Sequence, residues 1–221
     1  MNISAIIQVL VEGLPSTIFI LITSFLLSTL IGLFILWLTI QDDKIANRLV
    51  HIYTAFSRGT PPLLMLLLSY YELPKLLQLI GINANDWNKY IFAIFGLAFG
   101  FGGYMGEIFR SGYQSVDQSQ FDAAYSVGMQ KKQILREIIF PQMFHLSLPN
   151  IENMFLGFLK ASSLVYVIGI DDMYRKATIL ANASQGVFQL QIFIVLAVMY
   201  WLITILFSYL FSHLHFGKYR V

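Results

Sequence analysis

The chain has 221 residues, of which 57% are hydrophobic and 15% aromatic, while charged residues make up only 12%. A soluble domain carries roughly 25% charged residues, and one or two cores in a chain of this length cannot hide so much apolar surface, so soluble enzymes and disordered linkers are excluded in favour of a lipid-solvated chain. A net charge of +2, dispersed along the sequence, argues against a nucleic-acid partner; the absence of cysteine removes disulfides and thiolate chemistry, and four scattered histidines make no metal site.

A helix crossing a bilayer core of about 30 Å needs roughly 20 apolar residues. Nothing between Glu12 and Asp42 is charged, which predicts a first span over about 14–40. It is too long for a signal-peptide apolar region, and no small-residue cleavage site follows it. A second span, about 50–72, is less regular. Only Gly59 to Tyr71 is uncharged between Arg58 and Glu72, about 20 Å of helix, and it opens on Gly59-Thr60-Pro61-Pro62, so the helix has to recruit residues before Arg58. The third span, about 90–106, lies between Lys89 and Glu107 and is rich in the glycines that allow helices to approach closely. Glu107 and Arg110, three apart, share a helix face and are expected to pair.

A loop over 107–147 follows, too patterned for a linker. Ser119-Gln120-Phe121-Asp122 has capping-box spacing, and the helix it would start ends at Gly128, a natural C-terminal cap. From about Gln130 a second amphipathic helix is predicted, with Ile134/Ile138 and Leu135/Ile139 on one face, Lys131, Lys132 and Arg136 toward water, and Pro141 near its end. The fourth span, about 146–170, carries Glu152 and Lys160 inside an apolar run, and the fifth covers about 189–212. Lys160 is the most exceptional residue, since a cation at membrane depth costs about 2.5–3.5 kcal/mol on insertion scales. It either snorkels to one surface as a structural tie or faces a wet path. Eight Met and nineteen Phe form no cofactor box; lipid contact and packing account for them.

Five spans leave Lys44, Arg48, Arg58, Arg110, Lys131, Lys132, Arg136, Lys218 and Arg220 on one side and Lys75, Lys89, Arg175 and Lys176 on the other. The richer side is cytoplasmic by the positive-inside rule, which places the N-terminus outside and the C-terminus inside. The sequence thus predicts an all-α integral membrane protein, a single permease domain over 1–221.

Asp122-Ala123-Ala124, then Gly128, then Ile138-Ile139-Phe140-Pro141-Gln142, resembles the Glu-Ala-Ala loop of ATP-binding-cassette importer permeases, with aspartate in place of the glutamate. Arg58-Gly59-Thr60-Pro61, Tyr104-x-x-Glu107-x-x-Arg110 with Gly112, Leu148-Pro149-Asn150 and Lys160-Ala161-Ser162-Ser163-Leu164 resemble the polar amino-acid branch of that family. At Ala161 the chain departs from the branch, which usually has aspartate there. The resemblance implies a type I importer permease fold, a location in the bacterial inner or cytoplasmic membrane, and a role as the membrane subunit of an ATP-driven amino-acid importer. It also implies partners: two ATPase subunits that bind ATP and Mg, a second permease copy or sister permease, and an extracytoplasmic solute-binding protein.

The chain itself has no Gly-x-x-x-x-Gly-Lys-Ser/Thr run, and the resemblance assigns it no catalytic residue and no cofactor. It assigns ATPase coupling to a helix over 118–128, with Gln120, Phe121, Asp122, Ala123, Ala124 and Gly128 at the dock. Asp122 can cap its own helix as well as meet a basic partner residue. The substrate path is expected to include Thr60, Ser69, Tyr70, Lys160, Ser162 and Ser163, although Ser and Tyr in membrane helices also serve as bonds to neighbouring helices. Ala161 argues against a dedicated binder of cationic side chains, which a buried carboxylate would partner, and leaves polar, neutral or disulfide-linked amino acids such as cystine. The competing reading from another class is an ion-coupled secondary amino-acid transporter; the patterned loop and the absence of an inverted repeat stand against it.

Overall fold

The computed structural model describes residues 2–41 and 43–215, and every regular element among them is helical. Lys218 and Arg220 of the orientation count lie outside the described residues. Four helical runs are long and apolar enough to cross a membrane: Ile3–Ile40, Lys89–Gln114, Lys131–Ile168 and Gln189–His213.

Helix α1 (Ile3–Ile40) starts well before the predicted span. Its early turns are held by protein rather than lipid: Ile6 and Leu10 are buried against α9 (Met173–Ala183) and α10 (Gln189–His215), and Glu12 accepts from Lys176 Nζ at 2.9 Å. Helix α9 was not foreseen. Its apolar face is short, and Asp172 rather than a periodic pattern marks its start.

The predicted 50–72 span is not one helix. Helix α2 (Lys44–Gly59) is amphipathic, capped by Asp43, whose carboxylate accepts from the Ile45 and Ala46 amides at 2.9 and 2.8 Å. It stops because residues preceding proline are pushed out of the helical region, and Thr60 and Pro61 are extended with ψ of 129° and 139°. The chain then restarts with Pro62 at the first helical position, where a missing amide costs nothing. It passes through α3 (Pro62–Leu67), a π turn (Leu68–Glu72) and α4 (Leu73–Leu79). Residues 62–79 rise about 27 Å and pack on α5 (Lys89–Gln114) through Leu66 and Ser69.

A second π turn, Leu135–Ile139, joins α7 (Lys131–Ile134) to α8 (Phe140–Ser162). Both π turns stand two residues before a proline, Pro74 and Pro141, whose ring would otherwise collide with a carbonyl one turn back. The Leu73 and Phe140 amides accordingly reach the fifth carbonyl back, those of Leu68 and Leu135. Pro141 therefore does not end the amphipathic helix, as the sequence had implied. That helix and the fourth span are one rod from Lys131 to Ser162, closed by a 3-10 turn (Ser163–Ile168) and by Gly169 at φ 77°.

Helix α5 is the centre of the bundle because its glycines free several of its faces. A Cβ on Gly32 of α1 would stand 2.8 Å from the Met105 carbonyl carbon, and one on Gly106 2.8 Å from Ile35 Cγ2. On other faces, a Cβ on Gly96 would meet the Met65 carbonyl oxygen at 3.0 Å and one on Gly112 that of Met143 at 3.0 Å. Around this centre lie three clusters: Leu21, Leu66, Leu97 and Phe158 at mid-bundle; Leu36, Met105, Phe109 and Ile139 toward α6 (Gln118–Ser126); and Ile6, Leu10, Met173 and Ile192 at the opposite end.

Gly32→Leu is expected to lower the stability of the detergent-solubilised chain by about 1–3 kcal/mol or to prevent folding, since overpacking here meets backbone. Gly157→Ala, with nothing within 4 Å of the added carbon, should not lower it, since Ala gains about 0.5–1 kcal/mol over Gly within a helix. Thermal unfolding monitored by circular dichroism separates the two.

Candidate functional site

The expected coupling helix forms as α6, but its N-cap is Asp117, which accepts from the Ser119 amide at 2.8 Å, rather than Ser119 itself. Asp is among the strongest N-caps, and two residues further upstream it stops the helix from fraying. The other end is a Schellman turn: the Met129 amide reaches the Ala124 carbonyl at 3.1 Å and the Gly128 amide that of Tyr125 at 3.0 Å, with Gly128 at φ 80°. Gln120, Asp122, Ala123 and Gly128 are exposed, whereas Phe121 is half-buried against Tyr113 and Ala124 is 4% exposed in the core beneath. Ala124 is thus a packing residue of the helix's inner face, and the outward surface consists of Gln120, Asp122, Ala123, Tyr125, Val127 and Gly128.

A charged cluster joins the break after α2 to the same end of α5. Glu107 Oε2 accepts from Arg110 at 2.6 and 3.1 Å and stands 4.0 Å from Arg58, whose carbonyl accepts from the Tyr104 hydroxyl at 2.9 Å. Arg58, Tyr104 and Glu107 border a cavity of about 410 Å³ with His51 and Thr54. The spacing of Glu107 and Arg110 revealed their pair, but the third member, Arg58, is brought in only by the fold.

The six path residues are not brought together. Ser69 is buried and donates to the Phe92 carbonyl at 2.7 Å, a helix-to-helix tie, and Tyr70 is half-buried against Tyr71 and Phe92. Thr60 donates to the Phe56 carbonyl at the end of α2. Lys160 is exposed and forms no ion pair or hydrogen bond of its side chain with any described residue, and Ser163 lies beside it, donating to the Lys160 carbonyl at 2.7 Å. Ser162 points the other way, because two helical residues turn about 200°; it is fully buried.

Ser162 belongs instead to a buried polar cluster that sequence reading missed. Asp172 is fully buried at the N-cap of α9 and accepts from the Arg175 and Tyr174 amides at 2.9 and 3.1 Å. Thr17 of α1 donates to the Gly13 carbonyl and accepts from the Met173 amide, both at 3.1 Å. The Tyr200 hydroxyl is buried beside Thr17, Ser162 and Asp172 without a well-directed hydrogen bond. Burial pushes the Asp172 carboxyl up to about 6, against the pull of the amides it caps. The available signal was an Asp before a helix, indistinguishable in sequence from its neighbour Asp171, which is exposed and pairs with Arg175 at 2.8 Å.

Comparison with known proteins gives this arrangement a setting. The family described as binding-protein-dependent transport system inner membrane component matches residues 28–217. The chain is 34% identical over 205 residues to the L-cystine transport system permease protein TcyL of Bacillus subtilis (strain 168), covering 93% of this chain and 85% of that protein. It is 32% identical over 180 residues to the histidine/lysine/arginine/ornithine transport system permease protein HisQ of Salmonella typhimurium, covering 80% and 78%. A crystal structure of an amino acid ABC transporter with histidines superposes with a TM-score of 0.82 at 30% identity, over 97% of this chain and 98% of that one. The MetNI methionine ABC transporter in an inward-facing conformation shares the fold, with a TM-score of 0.70 at 14% identity over 96% and 99%.

Because Asp172 holds a proton more tightly when folded than its ordinary value of 3.8, the folded chain binds more protons between about pH 4 and 6. Stability should therefore fall as pH rises through that window. Asp172→Asn retains a capping side chain and removes the charge. It should match the wild type near pH 4 and exceed it at pH 7.5 by up to about 3 kcal/mol. Melting curves at the two pH values test this; equal differences at both would contradict it.

Proposed function

Since the chain belongs to the binding-protein-dependent transport system inner membrane components, as a polar amino-acid permease of ABC importers, we propose that it lines the translocation path of an ATP-driven importer and receives the power stroke on α6. The observation that carries this reading is the outward face of α6. Gln120, Asp122 and Ala123 stand clear of the bundle on a short helix capped firmly at both ends, and none of their side chains is tied to a described residue. A rigid, small-residue knob of this kind suits insertion into a groove on an ATPase subunit. Asp122 is then available to a basic residue of that subunit because Asp117 does the capping.

Membrane components of this family carry no catalytic role of their own and work with ATPases and a binding protein. Here two ATPase subunits would hydrolyse ATP with Mg, and an extracytoplasmic binding protein would deliver substrate to the opposite face. The path would form between two permeases, this chain with a second copy or with a sister chain. Five crossings, counting the proline-broken 62–79 segment, with the N-terminus outside and the α6 end in the cytoplasm of a bacterial cell, agree with the distribution of Lys and Arg.

The cargo we propose is a polar, neutral or disulfide-linked amino acid such as cystine. The similarity to TcyL supports it, as does Ala161, which puts no carboxylate where a cationic side chain would need one. Lys160, exposed at the α8 end, and Ser163, half-buried beside it, are the strongest path candidates, since an ammonium without a protein partner is free to meet a substrate carboxylate.

Ala123→Trp and Asp122→Lys should cut ATP-driven uptake in proteoliposomes about tenfold or more while leaving the melting temperature unchanged. Ala124→Trp should instead lower the melting temperature. Normal uptake by Ala123→Trp would remove α6 as the dock.

Lys160→Met, similar in length and cheaper in lipid, should assemble and melt normally yet lose substrate-stimulated ATPase activity. Full stimulation in that variant would strike Lys160 from the path.

A further inference from the structure

A hollow on the described residues lies away from both the α6 face and the α8 end. It is a groove of about 970 Å³ between the last turns of α1 and the α7–α8 rod. Its floor is apolar, with Leu36, Leu135 and Met143 at the base. Lys131, Lys132 and Arg136 stand along its rim, and none of the three forms an ion pair with any described residue. Glu137, next in sequence to Arg136, is not among the lining residues. Along the other wall Trp37, 54% exposed, stacks on Phe34 at 5.7 Å, and Leu33 continues the floor into the exposed apolar face of α1.

Each feature restricts the occupant. A floor continuous with a lipid-facing helix surface is entered sideways from the bilayer, which a soluble anion cannot do. Three cations over an apolar slot ask for a ligand with a negative head and a hydrocarbon body. Tryptophan marks the depth at which membrane meets water, so the rim sits at headgroup level. We infer that this groove is a binding site for an anionic phospholipid, its phosphate among Lys131, Lys132 and Arg136 and its acyl chains between Leu36 and Met143.

Each Lys or Arg near a membrane surface strengthens attraction to anionic lipid about fivefold, so three together distinguish an anionic from a zwitterionic headgroup. Residues 127–130 alone separate the lipid-bearing rod from α6. A lipid wedged there ties the end of α1 to the helix that follows the proposed dock. The position at the cytoplasmic leaflet rests on the orientation proposed above, whereas binding itself needs neither ATP nor transport and is read independently.

The test is native mass spectrometry of the full chain, purified in its transport complex and titrated with phosphatidylglycerol or with phosphatidylcholine of identical acyl chains. Wild type is expected to retain phosphatidylglycerol about tenfold or more over phosphatidylcholine. The triple change Lys131→Gln, Lys132→Gln, Arg136→Gln should abolish that preference, while Lys44→Gln with Arg48→Gln, basic residues on α2 outside the groove, should keep it. Leu33→Trp, which fills the slot without altering charge, should weaken retention of both lipids at this site, and provides a second variant should the triple one fail to fold. Equal retention of the two lipids by wild type, an unchanged preference in the triple variant, or displacement of phosphatidylglycerol by equimolar inorganic phosphate would overturn the proposal.

Discussion

The close approach of α1 and α5 is the contact on which most of the bundle is built. In lipid there is no hydrophobic gain from bringing two apolar helices together, so their association relies on van der Waals contact at short range. Gly32 and Gly106 remove the side chains that would hold the backbones apart, and Met105 and Ile35 fill the space from the facing helix. Since other faces of α5 are cleared in the same way toward α3 and α8, one helix serves as the common wall for the proline-broken segment and the long rod. A bundle organised in this way can be rigid near its axis while its outermost helix, α10, remains mostly exposed to lipid.

Around that axis the irregular backbone is concentrated at a few places, each with an identifiable cause. Pro61 and Pro62 separate α2 from α3 and leave Arg58 within range of Glu107. Pro74 and Pro141 each follow a π turn, which rotates the helix after it without interrupting it. Gly169 closes the rod and lets the chain fold back so that Asp172 meets Thr17. At the first and last of these breaks polar groups are tied to their neighbours, in keeping with the cost of unpaired backbone in a membrane.

The rod from Lys131 to Ser162 connects the two regions of greatest functional interest. One end follows α6 after a four-residue link, and the other carries Lys160 and Ser163, roughly 45 Å away along the helix. Under the coupling proposed for α6, its displacement would reach membrane depth along one continuous helical run. The acidic tie at Asp172 sits beyond the far end, on the α9 side of the bundle, where a buried carboxylate fixes the start of one helix against another.

Composition and charge spacing by themselves determined that this chain is an all-helical membrane protein, and they located its long spans, because a helix in lipid must be apolar along its whole length. The Gly128 cap and the Glu107–Arg110 pair were equally legible, since both are interactions between residues a few positions apart. Which way a side chain faces was decided only by the tertiary structure. Ala123 and Ala124 read alike in sequence, as do Asp171 and Asp172, or Lys160 and Ser162 as members of one lining. In each pair one residue turns to the surface and the other into the core. The extent of the helices was likewise decided by packing: α1 is lengthened by its contact with α9, and the rod runs through Pro141 because a π turn absorbs the missing hydrogen bond. Local patterns are periodic and can be read along the chain, but facing and continuity depend on partners distant in sequence, and no local pattern contains them.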